Sequence, residues 1–542
     1  MITGISSESE ISSCYDSDSG ILFIFYIIRH LYIIEESATY ADNIIETIST
    51  DEESSISTDE NFDCLKSKDG TQVFQSTPYG GPGRIPSHNI LKEKPGFKPQ
   101  TLRNVDKPLD AFLNFFTPDI MKVILDSTNA YISSKPNFMG PISENELLSF
   151  IGTILLIGLL KGKNAALKEY FSDEYGIPMI RAHTTFDRCK KILTMLRFDI
   201  PKVRNRNDRI APIRNIFEKL IRNCQNIYTP NADVTIDEQL VTFRGRCKFK
   251  MYIPSKPGRH GIKIWAMCDS KNSYLYNAKI YAGKENNRTE INQGENVVKE
   301  LSMPIYKTGR NITMDNFFTS CFLARYLLSQ KITIVGTVRK NKAFLPISFQ
   351  SSKGNKDDSQ FIFQKDMVIV KYCPKKNKSV VLLSTLHSGA EVNADSGKPE
   401  IIHYYNVNKG GVDTLDQLAR YYSCKRSTRR WPLAIFMHLI DVIAYNSLLL
   451  YTAKHPIYAE KYGNAARREF LKDLTKEMIQ LYTFSRPVEN SRKRKTSGLN
   501  MPARCELCSK PRPKTRVKCE RCDKFVCFNH REDIVICNKC CD

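Results

Sequence analysis

A chain of 542 residues exceeds what one hydrophobic core normally holds, which excludes a single small domain and leaves room for roughly two to four units. Its hydrophobic content of 41% excludes a wholly disordered protein. The formal net charge of +22 is unevenly spread: residues 1–63 carry fourteen Asp/Glu and one basic residue, Arg29, so the remainder holds 79 Lys/Arg against 44 Asp/Glu, a surplus that points to a polyanionic partner such as nucleic acid.

Residues 1 to about 70 are rich in Ser, Asp and Glu, a composition that favours disorder. Within them the apolar run Ile21–Ile34 is interrupted by Arg29 and His30 and is shorter than the roughly 20 residues a membrane span needs. It also lacks the basic flank and small-residue cleavage site of a signal peptide, so it reads as neither anchor nor signal. Pro78, Pro82, Pro86, Pro95 and Pro99, with several glycines, predict an extended linker over 77–101.

Helical spacing begins near 104. Thr117-Pro118 resembles an N-cap followed by a first-turn proline, and Ile120, Val123, Ile124 and Tyr131 follow on one face. Glu144–Leu160 predicts a buried helix rather than a membrane span, and Phe186, Ile192, Leu193 and Leu196 mark a third helix. At 231 the pattern changes. Short strands are predicted at Val234–Ile236, ending at Asp237, then at Gly261–Cys268 and Tyr274–Tyr281. A helix over Gln293–Leu301 precedes a strand at Asn311–Met314 that ends at Asp315. A helix at Thr319–Ser329 and a strand at Ile332–Val338 follow. Strands alternating with helices imply an α/β sheet. Residues 340–400 are polar and hairpin-like, with turn signals at Lys353-Gly354 and Ser396-Gly397, and look inserted. Lys409-Gly410-Gly411 precedes a helix from about Val412, helical periodicity returns over Arg429–Tyr451, and 486–503 is basic and rich in breakers.

Asp237 and Asp315 each follow a short apolar strand, and ligands of open α/β sheets collect at the carboxyl ends of strands. Asp413 lies in the first turn of a helix, with Asp416 three residues on and nearly on the same face. Hard divalent cations take such carboxylates, and a pair of ions roughly 4 Å apart can serve an in-line phosphoryl displacement. Plainer sources exist: Asp is a common turn residue after a strand, and the helix dipole favours an acid at position 413.

The segments around these acids carry a resemblance. Asp233-Val-Thr-Ile-Asp237-Glu-Gln-Leu-Val-Thr-Phe-Arg-Gly-Arg246, with Met251-Tyr-Ile-Pro-Ser-Lys-Pro257 and Gly261-Ile-Lys-Ile264, resembles the first-Asp block of piggyBac transposases. Asn311-Ile-Thr-Met-Asp315-Asn-Phe-Phe-Thr-Ser320 is similar to the second, and Tyr404-Tyr-Asn-Val-Asn-Lys-Gly-Gly-Val-Asp413-Thr-Leu-Asp416-Gln417 to the third. The resemblance covers about 105–542. It implies that Asp237, Asp315 and Asp413 are the catalytic triad and the ligands of Mg²⁺ (or Mn²⁺), with Asp416 a further acid near the site. It also implies that Arg339 and Lys342 grip target DNA. Trp431, in Arg430-Trp431-Pro432, would stack on DNA near the catalytic centre; its plainer reading is a core tryptophan.

The fold implied by the resemblance is α/β: an RNase H-like mixed-sheet catalytic core (233–339 and 400–422) with a β-rich insertion domain (340–399). A split all-α domain for dimerisation and DNA binding (104–232 and 423–485) flanks it. A disordered acidic N-terminus and linker (1–103) precede it, and a basic linker (486–503) and a small C-terminal cross-brace zinc module (504–542) follow. The implied activity is cut-and-paste transposition through hairpin intermediates into TTAA targets, by a homodimer on double-stranded DNA. A domesticated, nuclear DNA-binding descendant without transposition is the alternative.

Seventeen cysteines divide into nine scattered singly, which suits a reducing compartment, and eight between Cys505 and Cys541. The pairs Cys505/Cys508, Cys519/Cys522, Cys527/His530 and Cys537/Cys540 supply eight ligands, enough for two tetrahedral Zn²⁺ sites. Cross-brace pairing joins the first pair with the third and the second with the fourth; sequential pairing is the alternative, and Cys541 could replace Cys540. RING ubiquitin ligases use similar spacing, whereas the resemblance implies recognition of terminal DNA. Lys510, Arg512, Lys514, Arg516 and Lys518 suit phosphate contact or a solvated loop. Arg492-Lys493-Arg494-Lys495 reads as a nuclear localisation signal or a phosphate-binding patch. No membrane association is expected.

Overall fold

Eleven strands join in one mixed sheet within the first of two structural units, residues 1–484; residues 485–542 form the second. The computed structural model describes residues 64–79, 90–135, 137–162, 165–283, 291–394, 396–485, 503–509, 513–519 and 524–530. Residues 1–63, with the apolar run 21–34, and the basic stretch 486–502, with Arg492–Lys495, lie outside the described residues.

In chain order the strands are β1 (Cys64–Lys66), β2 (Val73–Gln75), the small pair β3 (Gly96–Phe97) and β4 (Tyr228–Thr229), then β5 (Asp233–Thr242), β6 (Lys250–Tyr252), β7 (His260–Asp269) and β8 (Leu275–Ile280). β9 (Asn311–Met314), β10 (Thr333–Val338), β11 (Ser359–Gln364), β12 (Met367–Lys375) and β13 (Lys378–Ser384) follow. The sheet order is β1-β2-β11-β12-β13-β10-β9-β5-β7-β6, with β8 also paired to β7. β5, β9 and β10 run parallel to one another; the other pairings are antiparallel. β7 is buried at nine of its ten positions, which is why it reads as an almost unbroken apolar run instead of an alternating one.

The longer helices are α1 (Pro118–Ser133), α2 (Glu144–Leu159), α3 (Phe186–Met195), α4 (Ala211–Ile227), α5 (Gln293–Ser302), α6 (Cys321–Ser329), α7 (Glu400–Asn408), α8 (Gly411–Tyr421), α9 (Trp431–Lys454) and α10 (Ala466–Ser485). Side-chain caps start several of them: Ser143 accepts from Glu146 N–H, Thr185 from Arg188 N–H and Ser320 from Leu323 N–H. α9 is long and apolar enough to cross a membrane by length and composition, but 94% of its apolar stretch is buried inside the protein. It is a core helix, with Phe436 meeting Phe116 and Phe198 at centroid distances of 6.4 and 4.6 Å. Helices before and after the sheet segments therefore share one core.

Three expectations change and a fourth is extended. Residues 64–79, expected to lack order, form a β1–β2 hairpin on the sheet edge, because Phe74 is buried and Gln75 pairs with Phe363. Part of the expected linker is tied down too. Arg310, fully buried, ion-pairs with Glu93 at 2.8 Å and donates to the Pro230 and Asn231 carbonyls, and Phe97 packs on Tyr228. The segment 340–399, expected as a β-rich insertion domain, is β-rich and also extends the central sheet, since β13 pairs with β10 and carries β12 and β11. Finally, β5 does not end at Asp237. It runs five residues further because β7 pairs with it along its whole length.

Candidate active site

Asp237 and Asp315 come from neighbouring parallel strands. β5 and β9 pair from Asp233 with Asn311 to Ile236 with Met314, so the next residue on each strand is an acid. Adjacent strands lie about 4.8 Å apart, which sets the two residues side by side where β9 stops. Asp315 opens a turn: its Oδ1 accepts from Phe317 N–H and its carbonyl accepts from the Thr319 hydroxyl, both at 2.9 Å.

Asp413 is delivered by the broken helix α7–α8. The Tyr404 hydroxyl donates to Asp233, and the Thr235 hydroxyl donates to the Asn408 carbonyl at 2.6 Å, pinning the end of α7 to β5 just before Asp237. The chain then turns so close to the strand that a Cβ on Gly411 would lie 2.9 Å from Thr235 Oγ1. α8 begins there, and Asp413 sits in its first turn, where the helix dipole favours an acid.

The electrostatics tie the three acids together. Burial pushes the Asp237 carboxyl up to about 8, against the pull of Lys256 and with repulsion from Asp413 and Asp315 adding to it. Burial also raises Asp315, with Glu238 adding and the Phe317 amide, Arg339 and Lys263 opposing. Burial and the negative field of Asp315, Asp237 and Asp413 hold the Tyr405 hydroxyl well above its ordinary range. One hydroxyl therefore senses all three carboxylates. Asp416, almost fully buried and raised by that burial, pairs with Arg420 at 3.3 Å and senses Asp413. Among the described residues, the three carboxylates do not form a cluster with every ligand atom within 4.8 Å. Instead Lys256 Nζ stands 3.1 Å from Asp413 Oδ1.

Arg339 follows β10, is exposed, and donates from Nε to Asn316 Oδ1 at 3.1 Å, next to Asp315. Lys342 lies in the following turn, partly buried. Trp431 starts α9, half-buried and edge-on to Phe249 at 5.0 Å, so the structure seats it against the loop after β5. Sequence reasoning did not single out Lys256, Glu238 or Tyr405. Lys256 had a signal, a cation between two prolines beside the first-Asp block. Tyr405 had none, because only the seating of α7 on the sheet brings it to the acids.

In the second unit, Ala503–Arg504 and Lys514–Thr515 form a two-stranded sheet, labelled β14 and β15, that carries Cys505 and Cys508 towards Cys527 and His530. Cys508 Sγ lies 3.6 Å from Cys527 Sγ and 3.4 Å from His530 Nδ1, and Cys505 Sγ lies 3.7 Å from His530 Nδ1. All four ligand atoms fall within 4.8 Å of one another. A tetrahedral zinc with Zn–S of about 2.3 Å and Zn–N of about 2.0 Å has edges of about 3.5–3.8 Å, so these spacings fit the ion. Burial and the neighbouring Cys527 and Cys505 thiols push Cys508 up to about 11. Cys505 falls to about 6: burial opposes the shift, and amide hydrogen bonds from Cys527, Leu507 and Cys508 with the His530 ring drive it. Cys519 is buried, whereas Cys522, Cys537 and Cys540, with Cys541, Lys510 and Arg512, lie outside the described residues. Lys514, Arg516 and Lys518 are all exposed, at alternate positions of one extended stretch.

A family model described as Transposase IS4 matches residues 107–448, which span all of the acids above together with Arg339, Lys342 and Trp431. A cryo-EM structure of a piggyBac transposase synaptic complex with hairpin DNA is similar at 34% sequence identity and a TM-score of 0.71, over 83% of this chain and 100% of that one. The chain belongs to the piggyBac family of transposases. Two human piggyBac relatives match at 24% identity over 451 residues, 77% of this chain: piggyBac transposable element-derived protein 3, covered over 74% of its length, and a chimeric ERCC6-PGBD3 protein, covered over 41%. The cysteine module lies beyond the part of the chain that the family model matches.

Proposed function

We propose that this piggyBac-family chain is a DNA transposase that cuts and joins DNA by phosphoryl transfer, with Asp237, Asp315 and Asp413 as its catalytic carboxylates. The observation that carries the reading is the β5–β9 register, which ends with one acid on each strand and the Asp413 helix seated beside them. Strand order β8-β7-β5-β9-β10, with three antiparallel strands followed by parallel ones, supports an RNase H-like core.

The donor set suits Mg²⁺ or Mn²⁺: every candidate ligand is a carboxylate oxygen, and burial with mutual repulsion leaves the group short of positive charge. Such cations, when bound, activate the attacking oxygen and stabilise the leaving one. Asp237 on β5 and Asp315 in the turn that closes β9 supply ligands from braced positions, and Asp413 supplies one from a helix terminus. Arg339, beside Asp315, meets phosphate of the target strand. Asp416 tunes the field around Asp413, and Trp431 offers a ring face for a base beyond the loop that packs on it.

DNA ends and a TTAA target are the substrates, and the transposase acts as a homodimer through its helices from 104–232 and 423–485. The terminal module, holding two Zn²⁺ in cross-brace pairing, reads terminal DNA through Lys514, Arg516 and Lys518. The basic stretch at 492–495 directs the protein to the nucleus.

The test is excision of a reporter element built with the genomic DNA that flanks the gene. Loss of excision in Asp237→Ala, Asp315→Ala and Asp413→Ala, with DNA binding kept, is the expected result. DNA binding by the wild type without excision in either Mg²⁺ or Mn²⁺ would instead mark a domesticated DNA-binding protein.

A further inference from the structure

Lys256 reaches the acids from a braced turn. β6 ends at Tyr252 and β7 begins at His260; between them Ile253 N–H donates to the Arg259 carbonyl at 2.7 Å and Arg259 N–H to the Lys256 carbonyl at 2.9 Å. Pro254 and Pro257 restrict φ on both sides of the lysine. Gly258 presses on the end of β5, where a Cβ would sit 2.7 Å from Thr242 Oγ1. The turn therefore presents Lys256 from a fixed base instead of a mobile loop.

The lysine is also more enclosed than its partner. Its side chain is 17% exposed, against 63% for Asp413, and Nζ lies 3.1 Å from Asp413 Oδ1. The charged groups that act on it are Asp237, Asp413 and Glu238, and its own charge in turn acts on Asp416. Lys409, exposed at the N-terminal side of α8, also senses Asp413. Lys263, also enclosed, is held by Glu238 at 2.7 Å, so Lys256 is the enclosed ammonium that faces Asp237 and Asp413.

We infer that Lys256 is a positioning residue that pairs with Asp413 while no divalent cation is bound and is displaced from it when one enters. The inference rests on reading Asp237, Asp315 and Asp413 as cation ligands. An ammonium on a four-carbon stem is suited to this role, since it is a compact point charge that can swing without moving the turn. It holds the acids together against their repulsion, and its departure frees the Asp413 oxygen that an incoming cation needs. Its charge also opposes any cation entering the same space, so the lysine sets a threshold for loading.

The experiment measures Mn²⁺ binding by calorimetry on the full chain, zinc-loaded, in buffer otherwise free of Mg²⁺ and Mn²⁺. Lys256→Met is expected to bind Mn²⁺ about tenfold more tightly than wild type, because a competing like charge a few ångströms away is gone. Lys256→Arg is expected to stay within about twofold of wild type, because it keeps the charge. Unchanged or weaker affinity in Lys256→Met overturns the inference. Should Lys256→Met fail to fold, Lys256→Gln carries the same expectation and the same refutation. Wild-type protein that binds no Mn²⁺, or binding that survives Asp237→Ala, overturns the reading of the acids as ligands instead.

Discussion

Asp237 and Asp315 are neighbours because β5 and β9 run parallel and in register up to Ile236 and Met314. The pairing ends at the same step on both strands, so two acids 78 residues apart in sequence arrive together without any long side-chain reach. β7 then supports Asp237 from the other side, opposing it with Ala266.

Without a divalent cation, that arrangement makes stability depend on pH. The Asp237 carboxyl titrates at about 8 in the folded chain against an ordinary 3.8. Between these values the folded state holds a proton that the unfolded chain has released. The contribution is therefore complete below the ordinary value and is lost as pH rises through about 8. Relative to Asp237→Asn, wild type should lose up to about 1.4 kcal/mol per pH unit across that window. Denaturant titrations of both proteins at several pH values check this, and saturating Mg²⁺ should flatten the difference.

Gly411 is the contact that seats Asp413. Gly411→Ala would put a methyl group 2.9 Å from Thr235 Oγ1 and 3.2 Å from its Cβ, both on a buried β-branched side chain. α8 must shift to relieve that contact, and a displacement near 1 Å of a catalytic group costs up to about a hundredfold in rate. Excision should fall by about tenfold to a hundredfold while circular dichroism and DNA binding stay near wild type. Undiminished excision would show that the seating tolerates the methyl.

Asp441 holds the bend between α8 and α9. It is buried, and it accepts from the Ser423 hydroxyl at 2.7 Å and from Cys424 N–H at 2.8 Å. Asp441→Ala leaves both donors without that acceptor and should cost about 2–4 kcal/mol of stability. Thermal unfolding measures the loss, and Asp441→Asn, which keeps one acceptor oxygen, should recover part of it.

Arg339 stands exposed next to Asp315, donating to Asn316, and under the proposed function its charge meets a DNA phosphate. Arg339→Ala should weaken DNA binding and lower the slope of log affinity against log salt by about 0.9, the change expected for one lost phosphate contact. Fluorescence anisotropy over a salt series reads it directly. A slope equal to wild type would remove Arg339 from the phosphate contacts.

The terminal module should depend on its metal. Purified chain should contain about two zinc ions, and Cys527→Ser about one, because the loss of one thiolate opens one tetrahedral site. Elemental analysis gives the count. Unchanged zinc content in Cys527→Ser would place the ion on other ligands.

Local sequence carried the acids, the strands and helices around them, and the metal-ligand spacing of Cys505, Cys508, Cys527 and His530. Those features rest on short-range physics: β-branched runs favour strands, a glycine at 411 leaves room for close approach of the chain, and Cys/His pairs with two residues between them can reach one ion. Convergence was decided only in three dimensions. Whether Asp237 meets Asp315 depends on register between strands far apart in the chain, and whether Tyr405 and Lys256 join them depends on how α7 and the 253–259 turn lie against β5. The same holds for residues 64–79 and 340–399, whose polar composition suggests a tail and an insertion. They become one sheet because the free edges of β10 and then β11 need partners for their amides and carbonyls, which β13 and β2 supply, a demand set by tertiary pairing and invisible in any local window.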